Sequence, residues 1–243
     1  MILKNFMECL SDEVIYTPDQ IEDVIKQVRT NFRFHQLNTK HKYFNVPAAL
    51  DLETSSFYNA DMEKVGLMYV WILGLYGKVI IGRSWEQLTE VINKIVDILQ
   101  LNENKRLIFY VHNLQFDFQF FRSHFTFTKV FASDRRQPLY ALTDSGVEFR
   151  CSYMLSGLSL EKVGNNLLKY RVRKQVGDLD YSLIRHQKTR LKKKELGYCA
   201  GDVRVVMAYI AEEMERYGGI AALPLTKTGY VRNYCRNFLF RDP

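Results

Sequence analysis

Val46-Pro-Ala-Ala-Leu-Asp-Leu-Glu-Thr54 is an apolar run that ends in two carboxylates, Asp51 and Glu53, two positions apart. On a β-strand, residues two apart project from the same face, so both acids leave the strand side by side. Like charges crowded beside Val46, Ala48, Ala49 and Leu50 are poorly placed unless cations or solvent offset their desolvation. Taken alone, the pair also fits a strand that has simply ended and left both acids in water.

Two later segments add carboxylates in equally particular settings. Asp117 lies in Tyr110-Val-His-Asn-Leu-Gln-Phe-Asp-Phe-Gln-Phe-Phe121, where a strand gives way to a helix and four phenylalanines surround the acid. The plain alternative is an exposed acid favoured by the helix dipole. Asn113 supplies an amide at the same turn, and His112 reads as a structural histidine. Tyr198 and Asp202 are four apart in Glu195-Leu-Gly-Tyr-Cys-Ala-Gly-Asp-Val-Arg-Val-Val206. At helical spacing the phenol and the carboxylate share a face, with Ala200 and Gly201 leaving room for close approach. An amphipathic helix with Asp202 in water is the plain alternative there. Jointly, these acids are the hard oxygen ligands that phosphodiester hydrolysis by a pair of divalent cations needs.

In this order, Asp-x-Glu, Asn-x-x-Phe-Asp and Tyr-x-x-x-Asp resemble the motifs of proofreading 3′→5′ exonucleases with a tyrosine in the third motif. His112-Asn-Leu-x-Phe-Asp117 and Gly177-Asp-Leu-Asp-Tyr181 are similar to the exonuclease domain of protein-primed, family-B DNA polymerases of bacteriophages and linear plasmids. The resemblance covers roughly residues 45 to 217. It implies a ribonuclease H-like α/β fold, a mixed β-sheet flanked by helices, that removes 3′-terminal nucleotides from single-stranded DNA. It also implies two Mg²⁺ or Mn²⁺ ions, held by Asp51, Glu53, Asp117 and Asp202 with Asp51 bridging, and a Tyr198 that orients the attacking water. Thr54, Asn113, Phe116 and Tyr181 match the family's DNA-binding positions. Lys174 is the nearest candidate for the family's lysine, although Val176 occupies the closest aligned place. The family's Ser-Leu element is either Ser152–Ser156 or Ser159–Val163.

The polymerase motifs Ser-Leu-Tyr-Pro and Tyr-x-Asp-Thr-Asp do not occur in the sequence. The resemblance therefore implies an exonuclease domain alone, natural or excised, with a DNA polymerase domain in cis or trans and a terminal protein as possible partners. The alternatives are a non-catalytic module that holds single-stranded DNA or docks such partners, and an RNA-directed exonuclease of the same fold.

Composition is compatible with this. The 243 residues suit one large domain, 47% are hydrophobic, and 34 Lys plus Arg against 27 Asp plus Glu leave a net +7 suited to a polyanion. Arg185 to Lys194 and Lys227, Arg232 and Arg236 are candidates for tracking phosphates. Cys9, Cys151, Cys199 and Cys235 show no paired spacing and read as reduced thiols. No signal peptide and no membrane-spanning run is expected, hence a cytoplasmic setting. Residues 1 to 44 read as a lead-in with a helix after Thr17-Pro18, 45 to 223 as the exonuclease domain, and 224 to 243 as a basic tail or linker. Within them, Phe32 to Tyr43 reads as loop, Phe44 to Leu52, Val65 to Leu75, Lys78 to Gly82, Leu107 to Val111, Phe127 to Phe131, Pro138 to Thr143 and Val147 to Tyr153 as strands. Helices are expected after Ser84, Asn113 and Ser159 and from Lys192 to Tyr217.

Overall fold

The computed structural model describes residues 3–37, 40–172, 179–180 and 182–239. Its strands are β1 (Ile15–Tyr16), β2 (Phe34–His35), β3 (Lys42–Phe44), β4 (Ala48–Tyr58), β5 (Lys64–Leu75), β6 (Lys78–Gly82), β7 (Lys105–Val111), β8 (Phe127–Ala132), β9 (Pro138–Thr143) and β10 (Val147–Cys151). They form one mixed sheet in the order β1-β6-β5-β4-β7-β10-β9-β8, with β3 added beside β7 and β2 beside β3. The helices are α1 (Phe6–Ser11), α2 (Ile21–Val28), α3 (Trp85–Leu99), α4 (Leu114–Phe121), α5 (Ser152–Ser156), α6 (Leu160–Asn165), α7 (Lys193–Tyr217) and α8 (Lys227–Tyr234).

The centre is an antiparallel meander, β4-β5-β6, followed by β7 and β10 running parallel to β4. With helices packed on it, this is a ribonuclease H-like α/β fold. The two apolar runs read as strands pair as a long antiparallel hairpin, β4 with β5. Trp71, Ile72, Leu73 and Leu75 are fully buried, as are Ala48 and Ala49 opposite them. Asp51 pairs with Ile72 and Ala49 with Gly74, so these residues share one face of the sheet. The helix α7 lies on that face, and Gly74 is what lets it come close. A β-carbon added there would clash with Val203 and lie 2.6 Å from Met207 Cε. Trp71, on the opposite face, donates its indole N–H to the Ser84 carbonyl at the start of α3. Ser84 caps α3 by accepting from the Gln87 N–H, and Leu88, Val91, Ile92, Ile95 and Leu99 bury its apolar stripe.

Four expectations change. Phe32 to Tyr43 is not all loop: β2 and β3 form a small ribbon because the Phe34 and Phe44 rings pack 4.6 Å apart. The strand carrying Asp51 and Glu53 does not end at Leu52 but runs on to Tyr58 against β5. The strand from Val147 stops at Cys151, level with Val111 of β7, and Ser152 opens a short helix instead. The basic tail contains α8, whose Tyr230 stacks on Tyr217 with ring centroids 4.4 Å apart. The polar lead-in also contributes Leu3, Phe6, Leu10, Ile21, Val24, Ile25 and Val28 to the common core. All four cysteines are free thiols. Among the described residues no helix is long and apolar enough to cross a membrane.

Candidate active site

The strands β4 and β7 pair in parallel at Ala49 and Tyr110. Beyond that pair β4 continues while β7 ends at Val111 and the chain turns through Asn113 into α4. Asn113 takes the left-handed conformation, φ 68° and ψ 53°, which asparagine tolerates better than most residues. The turn opens a notch beside β4, and Asp117, one turn into α4, fills it. Its side chain is 3% exposed, and its carboxylate accepts from the Leu52 backbone N–H.

Three segments thus deliver acids to one place. Asp51 and Glu53 project from the face of β4 that α7 covers, and Asp202 approaches from α7. Burial and the Asp202 charge push Asp51 up to about 7. Burial, with Asp51 and Asp202 beside it, pushes Glu53 up to about 8, against a hydrogen bond from the Cys199 thiol. Asp117 is raised well above the usual carboxylate range by burial and by the charges of Asp51 and Glu53. Its Oδ1 is buried without a hydrogen-bond partner. A β-bulge follows Glu53, where the pairing steps from Val70 to Met68. Bulges of this kind commonly re-aim side chains next to functional sites.

Chemically these are the hard oxygen donors that divalent cations take: four acidic side chains are gathered where burial makes the charged forms of Asp51, Glu53 and Asp117 expensive. Among the described residues, however, no three His, Cys, Asp or Glu side chains are grouped tightly enough to hold a metal ion as they stand.

Of the other predicted residues, Tyr198 lies half-buried on α7, one helical turn before Asp202. Thr54 is partly buried at the bulge, and Phe116 is 49% exposed on α4. Phe116 and Phe120 pack with centroids 5.7 Å apart, and Phe120 lies over Gly66 of β5. Lys174 and Tyr181, with Gly177 and Asp178, lie outside the described residues. His112 is structural: burial lowers it to about 4, and its ring meets Ser152 Oγ at 3.1 Å.

Two features escaped the sequence. Arg185 does not track phosphates. It is 4% exposed, donates to the Asp180 carbonyl and pairs with Glu195 at 2.8 Å, and its own N–H donates to Ser55 Oγ. It ties the segment before α7 to β4, and partners 10 and 130 positions away leave no local signal. Arg135 and Arg136, at the tip of the β8–β9 hairpin, line a cleft with Asn113 and Phe116. Their only sequence signal was a short basic turn between two strand-like pieces.

No family model matches the chain, and no curated protein matches it by sequence. Its fold is similar to that of part of phi29 DNA polymerase. Against that polymerase complexed with primer-template DNA and incoming nucleotides, the TM-score is 0.61 at 12% identity, covering 81% of this chain. The complex with single-stranded DNA gives 0.61 at 11% identity. In both, the chain spans 35% of the polymerase's length. The catalytic core of RRP6 from Trypanosoma brucei, mutant C496S, gives 0.45 at 11% identity, below what defines a shared fold. At these identities the likeness to the polymerase is one of fold.

Proposed function

We propose that this chain is a metal-dependent 3′→5′ exonuclease that removes nucleotides from single-stranded DNA, as a proofreading unit of a protein-primed, family-B type DNA polymerase. The observation that carries the reading is the gathering of Asp51, Glu53, Asp117 and Asp202, from β4, α4 and α7, on one largely buried patch where the neighbouring acids and burial raise the pKa of Asp51, Glu53 and Asp117. A fold that keeps such a patch retains repulsion it could shed by a single Asn, and a bound cation is what relieves it. The likeness in fold to a DNA polymerase seen with primer-template and single-stranded DNA supports the substrate class.

Asp51, Glu53, Asp117 and Asp202 would hold two Mg²⁺ or Mn²⁺ ions. When bound, such ions neutralise the phosphodiester and make water a better nucleophile near neutral pH. The protein's own groups do the rest. Tyr198, on the same face of α7 as Asp202, orients the attacking water through its phenol. Asn113 and Phe116 seat the 3′-terminal nucleotides, the exposed Phe116 ring by stacking worth about 1–3 kcal/mol per base whatever the sequence. Arg135 and Arg136 face the same cleft and balance phosphate charge. Attack in line with the leaving 3′ oxygen releases a 5′-mononucleotide, and no covalent intermediate is required. A polymerase domain in cis or trans, and a terminal protein, are the partners this reading proposes.

Digestion of 5′-labelled single strands with Mg²⁺ or Mn²⁺, DNA and RNA side by side, tests it. A ladder shortening from the 3′ end of DNA is expected, abolished by Asp51→Ala and by Asp202→Ala in folded protein. Near-normal digestion by either variant overturns the two-ion assignment. Faster digestion of RNA transfers the site to RNA, and no digestion at all leaves a binding module.

A further inference from the structure

Residues 182–192 form neither helix nor strand, yet two arginines fasten them beside the acid cluster. Arg185 is 4% exposed: its backbone N–H donates to Ser55 Oγ, two positions after Glu53, and its guanidinium donates to Glu195, three positions before Tyr198. The same guanidinium lies 5.7 Å from the centre of the ring of Tyr69, the residue of β5 that the bulge leaves unpaired. Arg83, just after β6, donates to the Tyr69 carbonyl at 2.7 Å. It also donates to the carbonyls of His186 at 3.1 Å and Thr189 at 2.7 Å.

The turn held by these anchors is closed on itself. The His186 N–H donates to Thr189 Oγ1, the Thr189 N–H to the His186 carbonyl, and the Lys188 N–H to His186 Nδ1. What this leaves outside is of one sign. Lys188, Arg190, Lys192, Lys193 and Lys194 are all exposed, and no acid occurs from Ser182 to Lys194. Among the described residues none of the five forms a salt bridge. The flanking acids are engaged, Asp180 by Ser182 and Glu195 by Arg185. Three of the five cations crowd the first turn of α7, where the helix dipole disfavours them. A polyanion laid against them relieves that cost. Leu183 and Ile184, 54% and 63% exposed, stand beside them.

We propose that residues 183–194 form a second contact surface for single-stranded DNA, which takes the strand adjoining the 3′-terminal nucleotides held at the acids. Lys188 and Arg190 meet its phosphates, and Leu183 and Ile184 lie against base faces that a duplex keeps covered. Arg83 and Arg185 are positioning residues: they hold the turn and touch no DNA. The surface deepens the exonuclease reading and rests on it for the place of the 3′ end.

Fluorescence anisotropy of the full chain in EDTA tests it, with a 5′-labelled oligothymidylate of about 12 nucleotides as the probe. Salt is varied from about 50 to 200 mM. Lys188→Gln combined with Arg190→Gln should weaken binding at least about tenfold at the lower salt. It should also reduce the salt slope by about 1.4, the loss of two phosphate contacts to a single strand. Lys26→Gln with Arg29→Gln, the same loss of charge at the exposed end of α2, should leave affinity and slope nearly unchanged. Leu183→Ser with Ile184→Ser should weaken the single strand and not a duplex of the same sequence. All these positions are exposed, so the variants keep the fold. Wild-type affinity and slope in the Lys188 and Arg190 variant, an equal loss in the α2 variant, or tighter binding of the duplex than of the single strand overturns the proposal. Because no hydrolysis is measured, absence of digestion with this binding intact refutes the nuclease reading alone.

Discussion

Replacing Asp51 by Asn should make the metal-free protein more stable, and only at pH values where the acid would be charged. The folded state holds Asp51 at about 7 instead of 3.8, a gap of roughly three units. For a group raised in the folded state, the favourable contribution is complete below the unfolded pKa and disappears as pH climbs through the folded one. The window here therefore runs from about pH 4 to about pH 8. Each unit corresponds to about 1.4 kcal/mol, so three set a ceiling of about 4 kcal/mol at pH 8.5. Relaxation of the cluster lowers the expected gain and the fall of the Glu53 pKa beside a neutral residue 51 adds to it, which leaves about 2–4 kcal/mol. For a chain of this size that is on the order of 5–15 °C in Tm. The assay is thermal unfolding of both proteins in EDTA at pH 4, 6 and 8.5, repeated with Mg²⁺. The variant should melt with the wild type at pH 4 and well above it at pH 8.5. Mg²⁺ should raise the wild type at pH 8.5 and leave the variant nearly unmoved. A variant no more stable than wild type at pH 8.5 in EDTA would falsify the crowding argument, and an equal gain at pH 4 would assign it to packing.

Three further outcomes follow from other contacts. Mg²⁺ affinity, read from thermal shift or calorimetry, should rise between pH 6 and 8.5 as Asp51 and Glu53 lose their protons, with proton release on binding; a flat profile contradicts the raised pKa values. Tyr198→Phe should lower the rate of DNA digestion by less than Asp51→Ala does, since water and the acids remain; equal loss in a kcat comparison gives Tyr198 a larger part. Glu148→Ala should lose about 3–5 kcal/mol in urea unfolding, because Glu148 holds the buried Arg106 at 3.3 Å and Arg150 at 2.7 Å, and its removal strands both cations; a change below 1 kcal/mol contradicts this.

Local pattern carried much of the fold. The apolar runs at Val65 to Leu75 and Lys78 to Gly82, the cap at Ser84 and the stripe Leu88 to Leu99 are each read from neighbours in sequence, and each takes the expected form. The ribbon at Phe34 and Phe44 was hidden because its pairing depends on aromatic packing within a polar stretch. The extension of β4 to Tyr58 was hidden because the hairpin partner, not local propensity, keeps Ser55 and Ser56 extended.

The sequence by itself determined the chemistry on offer: the residue types, and the strand or helix spacing that sets Asp51 beside Glu53 and Tyr198 beside Asp202. Spacing is a local property and needs no knowledge of the rest of the chain. Tertiary structure alone decided that Asp117 is buried against Leu52, that Gly74 brings α7 down over the acids, and that Arg185 serves Glu195 instead of a phosphate. Those outcomes depend on contacts between segments tens of residues apart, where burial and mutual charge set both pKa and partner.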